Sequence, residues 1–270
     1  MKSNKWKFLL TGAATLTLLT ACTQASSQSA TKSNTAQTTA TSTSKNKTNN
    51  SNYFTDKDKD SSYDESKAST VKLSGSSASV SGDGVAVSGS TVTISKAGTY
   101  VISGESDGVQ IKVEAGDSDD VHIVLKGVTM TNTNAPISAT KAGHVYLTLA
   151  DGTTNTLSDS SSNNDEDADA VIFSKGDLTI NGSGTLNIDA KKNNGIKAND
   201  TLHITGGTYK ITAVGDAFNV NDELNITGTT MTIDADEDAV KVDNDEDTSV
   251  GTMYLSDNKM TITAGDDGIH

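Results

Sequence analysis

Acidic and amide side chains recur at one position of a repeated sequence and form a set of potential metal ligands. The residues that open successive copies are Asp169, Asn194, Asp216, Asp238 and Asp267. Adjacent positions add further oxygen donors, namely Asn193, Asp236, Glu237 and Asp266. Oxygen ligands without a cysteine or histidine cluster are the set that Ca²⁺ prefers and zinc does not. The sequence therefore predicts calcium bound along an acidic column.

This column has an electrostatic reason to hold a cation. If the copies stack as neighbouring β-strands, equivalent side chains lie about 4.8 Å apart. Two unit charges at that distance repel by about 3.5 kcal/mol at an effective dielectric of about 20. The alternative is a ladder in which these side chains only hydrogen-bond the backbone of the turns. Asn194 favours the ladder, because an amide stacks without charge.

A loop near the C-terminus is a second potential calcium site. It carries alternating acidic residues, Asp243, Asp245 and Asp247. The alternation is that of an EF-hand, but Thr248 replaces the glycine of that motif and Tyr254 its final glutamate. An EF-hand is thereby excluded, and a simpler calcium loop remains a hypothesis. The acidic run at 165–167 is interpreted as a solvated loop that leads into the column.

A row of polar residues follows the column three positions later in each copy. Its members are Lys197, Asn219 and Lys241, with His270 in the last copy. Alternate residues of a strand project to the same side, so this row should lie on one surface of the stacked copies. We expect these side chains to face outward beside the metal column, where they would contact a bound ligand. The alternative is an ordinary solvated face.

The spacing of the copies predicts how the chain folds. The steps from Asn194 to Asp216 and from Asp216 to Asp238 are each about 22 residues long. Such a copy is about 73 Å of extended chain at about 3.3 Å per residue, which suits one turn of a three-faced coil better than a hairpin. Apolar and polar residues alternate within each copy, so stacked copies would bury a continuous core. We predict an all-β fold, a parallel β-helix; an antiparallel sandwich is the alternative.

Composition divides the chain into four parts. They are a signal peptide at 1–21, a disordered linker rich in serine, threonine and asparagine at 22–67, an N-terminal β cap at 68–105, and the β-helix at 106–270. The linker has too few aliphatic residues to fold, whereas short alternating runs typical of strands begin after Thr70. Because a copy opens at Asp267 and the sequence stops at His270, we expect the β-helix to be truncated there.

The N-terminus has the features of an export signal with a lipid anchor. Three lysines precede an apolar run at 8–19, which is too short to span a bilayer. The next residues, Leu19, Thr20, Ala21 and Cys22, resemble the bacterial lipobox, whose cysteine is lipidated and becomes the new N-terminus. An ordinary signal peptide with an incidental cysteine is the alternative. We expect an exported bacterial lipoprotein, held on the extracellular face of the cell membrane only through the lipid at Cys22.

The charge of the chain excludes whole classes of partner. Its formal net charge is −14, and all 21 of its basic residues are lysines. Such a polyanion does not bind nucleic acid or an anionic membrane through its folded part. Cations, and acidic polymers bridged by cations, remain compatible with it. We expect the protein to be a monomer.

From about Tyr100 to the C-terminus the sequence resembles a bacterial family of carbohydrate-binding β-helix lipoproteins, similar in fold to pectate lyases. Short segments that begin at Asp216, Asp238 and Gly265 carry the resemblance. It implies a right-handed, calcium-containing β-helix that binds plant-type polysaccharides such as polygalacturonate or cellulose. Aromatic residues are only 4% of the chain, and flat cellulose chains usually need an aromatic platform. An acidic polysaccharide is therefore the favoured ligand.

Three functions are compatible with these features. The first is a non-catalytic polysaccharide-binding protein, in which calcium bridges protein carboxylates to those of the polymer. The second is a calcium-dependent polysaccharide lyase, in which Lys197 or Lys241 would replace the arginine base of many lyases of this fold. The third is a structural adhesin or matrix protein that uses the acidic ladder only for stability. We expect the first, without catalytic residues.

Overall fold

The computed structural model describes residues 36–41, 53–244 and 246–270. For residues 36–41 only the course of the backbone is described. The predicted signal peptide at 1–21, the anchor Cys22 and the loop residue Asp245 lie outside the described residues. Within the described ranges, no helix has the length and apolar character needed to cross a membrane.

The folded part of the chain consists almost entirely of short β-strands. Its first elements are β1 (Ala36–Thr41), α1 (Asp56–Lys59), β2 (Ser69–Gly75), β3 (Ser77–Ser81), β4 (Val85–Ser88), β5 (Thr91–Ile94) and β6 (Gly98–Asp107). The next are β7 (Gln110–Glu114), β8 (Asp120–Thr131), β9 (Ile137–Lys141), β10 (His144–Leu149), β11 (Thr154–Ser158), β12 (Ala170–Ser174), β13 (Leu178–Gly182) and β14 (Thr185–Ala190). The last are β15 (Asn194–Ala198), β16 (Thr201–Thr205), β17 (Thr208–Ala213), β18 (Phe218–Val220), β19 (Glu223–Thr227), β20 (Thr230–Ala235), β21 (Val240–Val242), β22 (Thr252–Ser256) and β23 (Lys259–Ala264).

Three faces of parallel strands coil around one core. The first face contains the first halves of β6 and β8, then β10, β13, β16, β19 and β22. The second contains the second halves of β6 and β8, then β11, β14, β17, β20 and β23. The third contains β5, β7, β9, β12, β15, β18 and β21. The chain visits the third, first and second faces in turn and then begins the next layer, as in a solenoid.

Strand pairing confirms the repeat that the sequence predicts. Ile196 pairs with Phe218, and Phe218 pairs with Val240, so equivalent positions of successive layers are about 22 residues apart. The all-β prediction with stacked parallel strands is thus confirmed. The antiparallel sandwich is wrong, because the antiparallel pairs among the described strands are confined to β2–β3, β4–β5 and β1–β23.

Apolar side chains form rows along the inside of the coil. Such rows are Ile196, Phe218 and Val240 on the third face, Ile180, Ile204 and Ile226 on the first, and Ile188, Ile211, Ile233 and Ile262 on the second. In β17 and β20 they alternate strictly with exposed residues, which is the period of a strand with one buried side. One layer cannot bury its own inner surface, so stability comes from contact between neighbouring layers.

The N-terminal end of the stack closes in two antiparallel hairpins within the predicted cap. Strand β3 pairs antiparallel with β2, which runs parallel to β6 at the start of the first face. Strand β4 pairs antiparallel with β5 at the start of the third face. Short strands therefore stand at this end of the coil, and short edge strands are poor templates for pairing with another molecule.

The disordered linker predicted at 22–67 extends too far towards the C-terminus. Residues 53–67 are folded against the outer side of the first face, where the ring of Phe54 is only 3% exposed. A capping box between Thr55 and Asp58 begins α1. Composition misled here because it tests whether a segment can form its own core. This segment instead packs on a surface that the strands already provide.

Candidate functional site

The predicted metal column lies where the chain enters the third face, and its buried members form a hydrogen-bonded ladder. Asn194 Oδ1 accepts the backbone N–H of Asp216 at 3.1 Å, and Asp216 Oδ1 accepts that of Asp238 at 3.0 Å. Asp238 Oδ1 accepts the N–H of Asp267 at 2.8 Å. The ladder that was the alternative interpretation of this column is therefore present, because each layer offers one backbone donor to the side chain of the layer before it.

The remaining oxygens of the column are bound by residues of the outward row. Lys197 Nζ lies 2.7 Å from Asp169 Oδ1, and Asn219 Nδ2 donates to Asp216 Oδ2 at 2.7 Å. Lys197, Asn219 and Lys241 occupy one register position on adjacent strands, as predicted. Two of the three predicted ligand-binding side chains thus contact this acidic group. The predicted place of Asp169 in the column is wrong by one residue, because Ala170 and not Asp169 pairs with Asn194, although Lys197 still neutralises the Asp169 carboxylate.

The last layer of the column combines two carboxylates with a histidine. Asp238 Oδ2 lies 3.4 Å from His270 Nδ1, and Asp267 Oδ2 lies 3.5 Å from the same nitrogen. One potential ligand atom from each of these residues falls within 4.8 Å of the other two. Asp236, Glu237, Asp266 and Asp267 are exposed. Carboxylates therefore concentrate at the surface of this end of the coil.

A calcium ion fits the exposed part of the column better than its buried part. Ca²⁺ takes about six to eight oxygen ligands, and the ladder commits one oxygen of Asn194, Asp216 and Asp238 to a backbone N–H. Exposed carboxylates can add both oxygens, and water can complete the coordination. The residues that would hold the ion are accordingly the exposed flanking ones. Asp169 fits less well, because Lys197 binds one of its carboxylate oxygens and Asn193 and Asn194 donate to the other.

A cleft of about 530 Å³ opens beside Asp169 at the other end of the column. Its lining is rich in carboxylates and amides: Asn163, Asn164, Asp165, Glu166, Lys192 and Asn193 accompany Asp169. The acidic run at 165–167, interpreted from sequence as a solvated loop, belongs to a longer loop, 159–169, which forms a wall of this cleft. The sequence contains no signal for this wall, because the loop interrupts the repeat and its path depends on contacts with the next layer.

Buried contacts hold loop 159–169 at both ends. At its start, Asp159 is 2% exposed; its Oδ1 accepts the backbone N–H of Lys191 at 2.7 Å. Burial raises the pKa of the Asp159 carboxyl above its ordinary value, although the hydrogen bonds from Lys191 and Asn163 oppose the shift. At the other end, Ala168 packs with Ala135 on the ring of Phe173. The cleft is thus part of the folded structure and not a gap under a loose loop.

A family model described as a carbohydrate-binding domain-containing protein matches residues 88–270. This chain belongs to that family. A carbohydrate-binding domain-containing protein of Acetivibrio thermocellus is 38% identical over 126 residues, which are 44% of each of the two chains. The match thus spans less than half the length of that relative.

The fold of this carbohydrate-binding domain is also that of a solved structure. The gadolinium derivative of a polysaccharide lyase-like protein from C. thermocellum superimposes with a TM-score of 0.71 at 29% identity. The match covers 75% of this chain and 93% of that chain. The resemblance to carbohydrate-binding proteins with a lyase-like fold, predicted from short motifs, is confirmed.

The predicted calcium loop of this carbohydrate-binding domain is occupied by local turns. Asn244 Oδ1 accepts the backbone N–H of Asp247, and Asp247 Oδ1 accepts both the N–H and the hydroxyl of Ser249. Hydrogen bonds from Ser249 hold the pKa of Asp247 below its ordinary value. Asp243 is exposed beside these turns. Turn formation therefore accounts for Asp247, and calcium in this loop stays a hypothesis.

A second polar surface, which the sequence pattern did not predict, lies on the outer side of the first face. His203 is held there between two carboxylates, with Nδ1 3.2 Å from Asp58 Oδ2 and Nε2 3.2 Å from Glu223 Oε1. His144 and the ring of Phe54 also face this histidine. Burial lowers the pKa of His203, but Asp58 and Glu223 outweigh it, and the pKa is raised above its ordinary value. Burial alone would raise the pKa of Asp58, yet His203, Thr179 and Thr55 lower it.

The contact between residues 53–60 and the first face is expected to weaken as the pH rises. A raised pKa in the folded state means that the contribution of His203 is complete below about pH 6.5, its unfolded value. That contribution is lost as the pH rises through the higher folded value. Tryptic cleavage after Lys57 and Lys59, normalised at each pH to an unstructured substrate, should accelerate over this range. A His203→Gln variant should show a flat profile, and an equal acceleration in that variant would contradict the prediction.

Proposed function

We propose that this protein binds polysaccharide without catalysis, through the acidic cleft at Asp169 and the exposed carboxylates along the column. The cleft carries the proposal, because it is a polar depression beside the repeated ladder in a member of a carbohydrate-binding family. An acidic, polyuronate-like chain is the proposed ligand. The proposal includes a right-handed coil and an anchor at Cys22, which would display the domain on the extracellular face of a cell membrane.

Calcium is the proposed link between this acidic protein and an acidic polymer. Asp165 and Glu166 supply carboxylates at the cleft beside Asp169, and Asn193 supplies an amide. A bound calcium ion would bridge these oxygens to the carboxylates of the polymer. The related solved structure is a gadolinium derivative, and gadolinium, like calcium, is a hard cation that seeks oxygen ligands.

A lyase is the second candidate function, since the solved relative is called polysaccharide lyase-like. It would need a base that is free to accept a proton from the sugar. The ammonium group of Lys197 instead contacts Asp169 at 2.7 Å, so Lys241 is the better candidate. A rise in ultraviolet absorbance on mixing with polyuronate, from an unsaturated product, would support the lyase and contradict the binding protein.

Chelation is expected to weaken retention of the protein on a polygalacturonate column sharply. In calcium buffer, an Asp165→Asn variant, which keeps the oxygen that accepts from the backbone of its turn, should bind at least about tenfold more weakly, which is about 1.4 kcal/mol. The matched control is Asp83→Asn, since Asp83 is an exposed carboxylate that pairs with Lys96 in the N-terminal cap. Retention that EDTA leaves unchanged would overturn the calcium bridge. Calcium-dependent melting without any retention would instead indicate a structural adhesin.

A further inference from the structure

Residues 53–60, called here the strap, lie across the outer side of the first face and receive hydrogen bonds from it. Asn225 Nδ2 donates to the carbonyl of Tyr53 at 2.9 Å, and Thr205 Oγ1 donates to the carbonyl of Asp58 at 2.7 Å. Asn181 Nδ2 donates to the carbonyls of Asp58 and Asp60 at 3.2 and 3.1 Å. The sheet thus presents a line of donors to the backbone carbonyls of the strap.

One position beneath the strap is built to hold a carboxylate. Asp58 is 2% exposed, and its Oδ1 accepts the hydroxyl hydrogen of Thr179 at 2.6 Å. Its Oδ2 lies 3.2 Å from His203 Nδ1. A buried carboxylate is tolerated only where donors and a positive charge compensate for lost water. The first face supplies the donor, and His203 supplies the positive charge when its ring is protonated, without a metal ion.

Aromatic rings line the same surface on either side of this position. Tyr53 of the strap stacks on Tyr254 with ring centroids 3.7 Å apart, and His144 stacks on Tyr146 at 4.1 Å. Rings that present a flat apolar surface beside hydrogen-bond donors are suited to sugar rings, which have one apolar side and polar edges. Tyr53 and Lys57 of the strap cover the rings of Tyr254 and Tyr146, which are the aromatic side chains that the sheet itself offers here.

We propose that the strap is an intrachain occupant of a second polysaccharide-binding surface, which takes a polymer with a carboxylate at the position of Asp58. Hydroxyl and ring oxygens of a polyuronate would replace the strap carbonyls as acceptors, and its carboxylate would contact Thr179 and His203. The inference rests on the proposed function for its class of ligand. It differs in needing no calcium, because the protein itself supplies the donors and the charge.

A covering strap lowers the apparent affinity of the surface beneath it. The apparent dissociation constant equals the intrinsic one divided by the fraction of molecules in which the strap is open. Weakening the strap without changing the sheet must therefore increase binding. Asp58→Ala removes the buried carboxylate. Thr55→Ala is a milder change that removes the side chain of the capping box, which donates to Asp58 Oδ2 at 2.8 Å.

The test uses the full chain and polygalacturonate in EDTA, so that calcium-dependent binding at the cleft does not contribute. Asp58→Ala should bind about tenfold more tightly than the wild type, and Thr55→Ala should change in the same direction by less. Adding His203→Gln to Asp58→Ala should remove the gain. Asp83→Asn again serves as the control. Faster tryptic cleavage after Lys57 or Lys59 in Thr55→Ala, which leaves the residues beside both cut sites unchanged, reports independently that the strap has opened.

Three other outcomes would overturn the inference. Faster cleavage without a gain in binding would mean that the strap covers no polysaccharide site. A gain that survives His203→Gln would place the binding elsewhere. Unchanged cleavage in both strap variants would show that the strap does not detach. These failures are distinct from failure of the proposed function, which is judged from the wild type in calcium buffer.

Discussion

A Phe218→Ala variant is expected to lose about 3–5 kcal/mol of unfolding free energy. The side chain of Phe218 is fully buried and lies between Ile196 and Val240 in the row of the third face. Its neighbours cannot close the resulting cavity, because backbone hydrogen bonds on either side set the spacing between layers. The loss should also be felt by the adjoining layers, since each layer is stabilised only by its neighbours.

Urea denaturation of the full chain measures this change. The matched control is Val214→Ala, because Val214 belongs to the same coil but is 46% exposed. Its unfolding free energy should stay within about 0.5 kcal/mol of the wild type. A loss below about 1 kcal/mol for Phe218→Ala would show that the layers move together to fill the space, contrary to the rigid stacking described above.

Replacement of Asp216 is expected to separate the two interpretations of the acidic column. Asp216→Ala leaves the buried N–H of Asp238 without its acceptor, which should cost about 1–3 kcal/mol. Asp216→Asn keeps an oxygen in that place, as Asn194 does in the preceding layer. The amide of Asn219 can rotate to accept from it. The asparagine variant should therefore stay within about 1 kcal/mol of the wild type.

Thermal unfolding of both variants, with calcium and with EDTA, provides the measurement. If the buried column is a hydrogen-bonded ladder, Asp216→Asn keeps the calcium response of the wild type, since the ion is held by the exposed carboxylates. If Asp216→Asn lost the calcium response that the wild type shows, the ion would lie on the buried column instead. An asparagine variant as unstable in EDTA as the alanine variant would contradict the ladder.

Much of the coil could be predicted because its information is local and repeated. The step of about 22 residues between Asn194, Asp216 and Asp238 determines which strands stack, and alternation within a layer determines which side chains point inward. The register of Lys197, Asn219 and Lys241 follows from the same step. The two uses of the acidic column could not be separated, since a carboxylate that accepts from a backbone N–H and one that binds calcium have the same spacing.

The repeat and the alternation of apolar residues were determined by the sequence alone, since each layer meets an almost identical neighbour. The cleft at Asp169 and the strap were decided only by the tertiary structure. Asp58 contacts Thr179 and His203, and Asp159 contacts Lys191. Such contacts join segments that share no period, and they form on surfaces that exist only once the strands have stacked. The composition of residues 53–60 therefore predicted a disordered linker. In the folded protein, donors on the first face and the ring of His203 hold this segment in place.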